Sequence, residues 1–308
     1  HSLNNIGAVY GIKGDYERAL EYFNQSLEIK EEIGDKQGIG NSFLNIGSMY
    51  KEKDDYDKAL DYNSRSLAIA EDIGNRRGVG FCLNNMGIVH SIKGDYDKAL
   101  DCYGRSLVIQ EEIGNKHGIG STLNNIGNLY FHKDDYDTAL DYHGKSLAIQ
   151  EEIGNKHGVA GSLANIGHAH WNKGDLDKAL DYCERSLAIH EELDAMPRVR
   201  LCLNSIGIVH YDKGDYDKAE EYLEKSLSIQ KDIGLGADDL LETTTYLYLT
   251  YKHLGKQYDV NEIHALIKED EKIEFEVNYR IFQFLEDTSY LETAYNQVQE
   301  KADNLEPD

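Results

Sequence analysis

Cysteine is scarce in this chain of 308 residues: Cys82, Cys102, Cys183 and Cys202 are the full set. No two form a C-x-x-C pair and no regular spacing relates them, which argues against a zinc ribbon or a disulfide frame. They read as small apolar filler in a reducing, cytoplasmic setting. Positive charge is also short. Lys and Arg number 32 against 56 Asp and Glu, a formal net charge of −24. Such a surface repels phosphate backbones and anionic lipid, so neither nucleic acid nor membrane is an expected partner. No apolar run approaches the roughly 18 residues that suggest a membrane span, and no secretory signal is visible. The G-x-x-x-x-G-K-[ST], G-x-S-x-G and H-E-x-x-H motifs are all missing. Nothing in the chain therefore points to an enzyme or to a bound cofactor.

What the chain does contain is itself, repeated. Gly7, Gly47, Gly87, Gly127, Gly167 and Gly207 form one column at a constant spacing of about 40 residues, and Ala19, Ala59, Ala99, Ala139, Ala179 and Ala219 form another. Asp15, Asp55, Asp95, Asp135, Asp175 and Asp215 form a third. Within each period two helix stops are written. Gly34-Asp35 recurs as Gly74-Asn75, Gly114-Asn115 and Gly154-Asn155; Gly14-Asp15 recurs as Asp54-Asp55, Gly94-Asp95, Gly174-Asp175 and Gly214-Asp215. Glycine suits the left-handed position that ends a helix, and Asp or Asn caps the next one.

Between the stops lie helical faces. Phe43, Ile46, Gly47 and Tyr50 mark one face of a helix A, at i, i+3, i+4 and i+7. Helix B carries two stripes, Tyr16, Ala19, Leu20, Phe23, Leu27 and Tyr22, Ser26, Ile29, Ile33, so it is expected between its own A and the next A. The Gly7 and Ala19 columns are expected where A and B cross closely. Gly38, Gly78, Gly118 and Gly158 are expected to allow a similar approach between B and the next A.

Leu3-x2-Ile6-Gly7-x2-Tyr10, followed by Ala19 and Phe23, and Leu83-x2-Met86-Gly87-x2-His90, followed by Ala99 and Tyr103, resemble the tetratricopeptide motif. The longer spacing is similar to the long-repeat subclass of kinesin light chains, Pins-type polarity adaptors and bacterial multi-repeat regulators. The near-identity of the repeats points to a bacterial array. The resemblance implies an all-α, right-handed α-solenoid of antiparallel helix pairs, with helices A lining a concave groove. Six units are expected over 1–234, a degenerate seventh pair over 235–273 and closing helices over 274–308. In the closing helices Phe275, Tyr279 and Phe282 mark one face, and Leu291, Ala294, Val298, Ala302 and Leu305 another. The chain opens at His1 within a repeat and without Met, so repeats or another domain are expected upstream. One junction departs: Leu193-Asp194-Ala195-Met196-Pro197-Arg198, with Arg200 close behind, stands where other units carry small residues. A looser or re-angled contact between units five and six is expected.

The resemblance implies a non-enzymatic scaffold that binds a protein or peptide segment in the groove. One candidate row is Asn5, Asn45, Asn85, Asn125 and Asn165, ended by Ser205; another is Asn4, Asn84, Asn124 and Asn204, with Leu44 and Ala164 intervening. Asparagine is a mediocre helix former, and an amide ladder offers donors and acceptors to an extended backbone. In related long-repeat proteins asparagines at matching positions hold peptides; hydrogen bonds within the stack are the alternative role. Farther along helices A the repeat varies, placing Phe131, His132, His168, Trp171, Asn172 and Tyr211 near the groove as side-chain anchors. The acidic balance is read first as solubility, and functionally as pointing to a partner segment with basic residues. An alternative function is a sensory or autoinhibitory arm of a larger kinase, cyclase, protease or transcription regulator. His90, His170 and His210 replace the Tyr10-column aromatic and are read as packing residues rather than metal ligands; oligomeric state is left open.

Overall fold

The computed structural model describes residues 2–233, 237–269, 273 and 275–305. Among the described residues there is no strand, and sixteen helices follow one another. The first four A–B units are α1 (Ser2–Ile12) and α2 (Tyr16–Glu32), α3 (Lys36–Glu52) and α4 (Tyr56–Asp72), α5 (Arg76–Ile92) and α6 (Tyr96–Glu112), α7 (Lys116–His132) and α8 (Tyr136–Glu152). Then come α9 (Lys156–Asn172) and α10 (Leu176–Glu192), α11 (Met196–Lys213) and α12 (Tyr216–Ile233), α13 (Ala237–Leu254) and α14 (Val260–Glu269). Helices α15 (Phe275–Leu285) and α16 (Thr288–Leu305) close the chain. They form two compact units. One holds the chain up to Tyr130 together with Ala148–Ile153; the other holds Phe131–Leu147 and the chain from Gly154 onward.

The helix boundaries follow the stops written in the sequence. The Asp35 carboxylate accepts from Gly38 N at 2.9 Å, and Asn75 Oδ1 accepts from Gly78 N at 3.0 Å, each satisfying an amide that the first turn leaves open. Gly34 stands at φ +68°, the conformation that turns the chain out of α2. At the end of α3, where the first repeat has Gly14, Asp54 adopts the same left-handed conformation at φ +57° and uses its carboxylate to accept from Tyr56 OH at 2.6 Å. At Gly38 and Gly78 a Cβ would meet the side chain of its own helix cap, Asp35 or Asn75, and also Lys30 or Ala70 of the preceding helix B; at Gly118 it would first meet Gln110 of the preceding helix B, so the expected close approach between B and the next A is present there.

Within the first unit each B helix packs on its own A and on the next A, from α1 through α6. The second unit repeats this arrangement from α9 through α13. All six alanines of the Ala19 column are completely enclosed. At Gly87 and Gly207 the missing side chain makes room for Tyr103 and Leu223 of the paired helix, and both of these are buried. The stripe that included Ser26 is more polar than a core stripe normally is. Ser66, Ser106, Ser186 and Ser226 are all buried, and each donates from helix B to a backbone carbonyl of its own helix A: Gly40, Gly80, Ala160 and Arg200, at 2.8 to 3.1 Å. A helical carbonyl retains a second lone pair, so these bonds leave the helix ladder intact.

The same serines reach across to the next A helix. Ser66 lies 3.3 Å from Cys82 Sγ, Ser106 3.4 Å from Thr122 and Ser186 3.5 Å from Cys202 Sγ. The last of these is the junction between units five and six. The expected loosening is absent at this contact, whose approach matches those of the two earlier junctions, and the helix start adapts instead. Asp194 adopts φ +51°, Pro197 occupies the first turn, and no side chain caps the helix at Ala195. Two rows of exposed ion pairs, each linking residues 36 apart, join successive repeats. Lys93 with Asp57 and Lys213 with Asp177 belong to one row, Lys36 with Asp72 to the other, at 2.6 to 2.7 Å.

The closing helices differ from the sequence reading. The face of α15 that is buried carries Val277, Ile281 and Phe284, packed with Leu241 and Leu266 of the seventh pair and with the tyrosines of α13. Tyr279, expected in that stripe, is 43% exposed. Phe275 lies outside the described side chains, as do Ala302 and Leu305. α16 packs on α15 and buries Ala294, yet leaves Leu291, Tyr295 and Val298 open at 37, 66 and 46%.

Candidate functional site

Four residues singled out because they break the repeat come together in the second unit. Phe131 at the end of α7, and His168, Trp171 and Asn172 at the end of α9, line one cavity of about 610 Å³. They lie at the ends of two A helices, where Phe131 also meets Tyr136 of its paired helix edge-on and Trp171 packs against the Ala179 cluster. The opposite walls were not anticipated. α13 contributes Glu242 and Tyr246, α15 contributes Tyr279 and Arg280, and α16 contributes Leu291, Tyr295 and Val298. The apolar spacing on α16 was visible in the sequence and read as a cap face. Arg280 gave no signal, since a single arginine outside the repeats carries no period.

The polar groups of the cavity are tied to one another. Trp171 Nε1 donates to Asp212 Oδ2 at 2.8 Å, and Arg280 Nη2 donates to the other oxygen of that carboxylate at 3.0 Å. Arg280 Nε donates to Tyr246 OH at 3.1 Å and Nη1 to Gln283 Oε1 at 3.0 Å. Its guanidinium carbon sits 5.1 Å from the Tyr246 ring centre and 5.5 Å from that of Tyr211, within cation–π range. Burial works against the cation, but Tyr246 and Asp212 beside it outweigh this and hold its pKa above the usual range. Burial in turn pushes the Tyr246 phenol well above its ordinary value. His168 Nε2 lies 2.9 Å from Ser205 Oγ, and burial lowers its pKa, which keeps the ring neutral. Asn172 Nδ2 donates to the His168 carbonyl at 3.0 Å.

The remaining candidates are placed differently. Tyr211 is 8% exposed and lies beneath Arg280, packed against Tyr216, Tyr246 and His253. His132 is exposed, its ring edge-on to Phe131. Of the asparagines, Asn5 is exposed, while Asn4, Asn45, Asn84, Asn85, Asn124, Asn125 and Asn165 are half-buried. Asn125 Nδ2 donates to Asn84 Oδ1 at 3.1 Å, so in the first unit the two rows touch each other. Asn204 is enclosed. Its Nδ2 donates to Glu242 Oε2 at 2.8 Å and its Oδ1 accepts from Thr243 at 2.9 Å, so its amide is used within the stack.

No group of three or more His, Cys, Asp or Glu is placed to hold a metal among the described residues. His170 and His210 stack on Tyr182 and Tyr222 with ring centres 5.6 Å apart, as Tyr10 stacks on Tyr22. All four thiols are free and buried, and burial raises each pKa. No helix among the described residues is long and apolar enough to cross a membrane.

The helix pairs, the small-residue columns and their recurrence meet a direct counterpart among known families. The tetratricopeptide repeat pattern matches residues 1–72, 81–152 and 158–232. The chain belongs to the tetratricopeptide repeat family. Solved structures with this fold include a Rap protein complexed with competence and sporulation factor. It is 15% identical, with 94% of this chain and 85% of that one covered at a TM-score of 0.66. The apo quorum sensor NprR of B. thuringiensis is 18% identical, with 86% and 74% covered at 0.64. A signal transduction ATPase with numerous domains and a tetratricopeptide repeat sensor, from Pyrococcus horikoshii, is 18% identical at 0.61; 87% of this chain is covered but only 40% of that one. At these identities the likeness shows the fold. No curated protein matches the chain. A tetratricopeptide repeat array of this kind is an interaction or sensor module.

Proposed function

We propose that this tetratricopeptide repeat protein binds a segment of a partner protein along its A helices, with the cavity of the second unit as the anchor point. One observation carries the reading. Phe131, His168, Trp171 and Asn172 depart from an otherwise uniform repeat, and all four line one cavity whose walls are largely aromatic and aliphatic. The half-buried asparagines of helices A are read as contacts to the partner backbone, with Asn204 left out because its amide is engaged internally. The chain acts by binding rather than by catalysis, and its charge of −24 speaks for a partner with basic residues and against nucleic acid. Buried free thiols suit a cytoplasmic protein.

A second reading is a sensory or autoinhibitory arm that controls an attached catalytic domain. It is favoured by the Pyrococcus horikoshii structure, in which a tetratricopeptide repeat sensor is one part of a longer ATPase.

Capture of partners from the source lysate tests the site. The intact protein is compared with separate Trp171→Ala and Asn124→Ala variants of unchanged helicity. A partner held by the intact protein and released by Trp171→Ala supports the cavity. Equal capture by all three proteins moves the site elsewhere.

A further inference from the structure

The cavity that gathers the repeat-breaking residues has the size of a small-molecule site. Its volume of about 610 Å³ lies within the range of roughly 300–1,000 Å³ that such sites occupy, and one anchoring side chain does not fill it. Its walls come from α7, α9, α13, α15 and α16, so a molecule lodged here is met from several sides rather than laid along one helix. Each of these helices contributes an aromatic ring: Phe131, Trp171, Tyr246, Tyr279 and Tyr295 in turn. Tyr279 and Tyr295 are exposed, and Leu291 and Val298 beside them are open as well. A ring entering the cavity removes this apolar surface from water. Ring-to-ring contacts add stabilisation beyond the area covered, which a saturated group of the same size does not receive.

The charged groups of the cavity are answered from within the protein. Arg280 divides its donors among Asp212, Tyr246 and Gln283, and it lies within 6 Å of the ring centres of Tyr211, Tyr246 and Tyr279. Asp212 accepts from both Arg280 and Trp171. Glu242 has partners of its own in the protein, Asn204 among them. A charged ligand would therefore shed its water and meet no unpaired counter-charge. We propose that this cavity is also the site of a free small molecule, an uncharged planar aromatic compound, which excludes the partner segment while it is bound. The exclusion rests on the binding role proposed above, because two occupants of one space cannot be held together; the small-molecule site itself does not.

Trp171 is the single tryptophan of the chain and lines the cavity, so energy transfer from it to dansylamide reports occupancy of this site. The full chain is titrated with dansylamide at about 0.15 M salt, where the long-range field of a chain of −24 is screened beyond about 8 Å. Competitors built on one ring frame then displace the probe, read by dansyl emission excited directly. Naphthalene-2-carboxamide is expected to compete about tenfold more strongly than 2-naphthoate or 2-naphthylmethylammonium, whose charge adjoins the ring. Its saturated decalin counterpart is expected to compete about two- to tenfold more weakly than the aromatic amide. Val298→Asp, which puts a carboxylate on an exposed position of the wall, is expected to weaken dansylamide about tenfold. Tyr295→Leu, equally exposed to solvent change without risk to the core, is expected to lower the preference for the aromatic amide about twofold. Equal competition by the three naphthalenes, equal competition by the saturated amide, or energy transfer unaffected by Val298→Asp would overturn the proposal. Saturating naphthalene-2-carboxamide is expected to release a captured partner, and capture that persists with the site occupied refutes the exclusion. Capture insensitive to both the compound and Trp171→Ala sinks the segment anchor and not the small-molecule site. Capture sensitive to Trp171→Ala with no binding of the neutral aromatic amide sinks the small-molecule site alone.

Discussion

Replacing Gly87 by alanine puts the packing argument at risk. A Cβ at this position falls 2.5 Å from Tyr103 Cε1 and 2.6 Å from Cδ1. Nonbonded carbons rest at about 3.5–4.0 Å, so the ring must withdraw by about 1 Å. Tyr103 is 2% exposed, and Ala99 one turn before it is fully enclosed, so there is no free space to withdraw into. Overpacking in a filled core costs about 1–3 kcal/mol, and overlap with two atoms of a rigid ring belongs in the upper half of that range. Alanine regains about 1 kcal/mol of helix propensity over glycine. The expected net effect is a destabilisation of about 1–2 kcal/mol. Gly104 supplies the control. It is helical, and a Cβ there meets no heavy atom within 4 Å. Only the propensity gain applies, so Gly104→Ala is expected to stabilise by about 0.5–1 kcal/mol. Urea unfolding followed by circular dichroism reads both, on the condition that the slope with denaturant is unchanged. Opposite shifts of the midpoint are required. If Gly87→Ala unfolds at or above the wild-type midpoint, close approach is not the reason for the glycine column.

Acid stability depends in part on His143, which is 1% exposed and whose pKa is lowered by burial, with His168 a smaller cause, from 6.5 to about 4. The unfolded chain takes up this proton first, so the contribution is complete above about pH 6.5, falls as pH drops toward 4, and amounts to about 3 kcal/mol. His143→Phe, which installs the aromatic that Phe23 supplies at the equivalent position of the first repeat, is expected to flatten the loss of melting temperature between pH 7 and 4.5; an unchanged acid loss would count against this account. Burial pushes the Cys183 thiol up to about 12 and raises the other three thiols, so none should react with a disulfide reagent in the native protein at pH 8, and all four should react in urea. A thiol reacting natively at the speed of a free one contradicts their placement. Ser106→Ala removes the buried bond to the Gly80 carbonyl and is expected to cost about 1 kcal/mol, whereas Ser64→Ala, whose hydroxyl bonds its own helix at the surface, should change the unfolding midpoint by less than about 0.5 kcal/mol. Equal effects would mean the serine column is incidental.

The sequence by itself determined the helices, their ends and their neighbours. Each of these rests on contacts that recur every repeat: an Asp or Asn cap, a glycine turn, an enclosed alanine, a helix packed against the next. Nearest-neighbour contacts at a constant period print themselves into the residues as columns, and columns can be read. The convergence of Phe131, His168 and Trp171 was partly legible for the converse reason, since each is an exception to a column. Tertiary structure alone decided the rest. It enclosed Tyr211 and Asn204, turned the α15 stripe to Val277, Ile281 and Phe284, and set Arg280 and the open face of α16 opposite the ends of α7 and α9. Those pairings join residues from 131 to 298 that share no period. A contact made once, between an array and helices outside it, leaves no repeated mark in the chain, and only the packing of the folded protein reveals it.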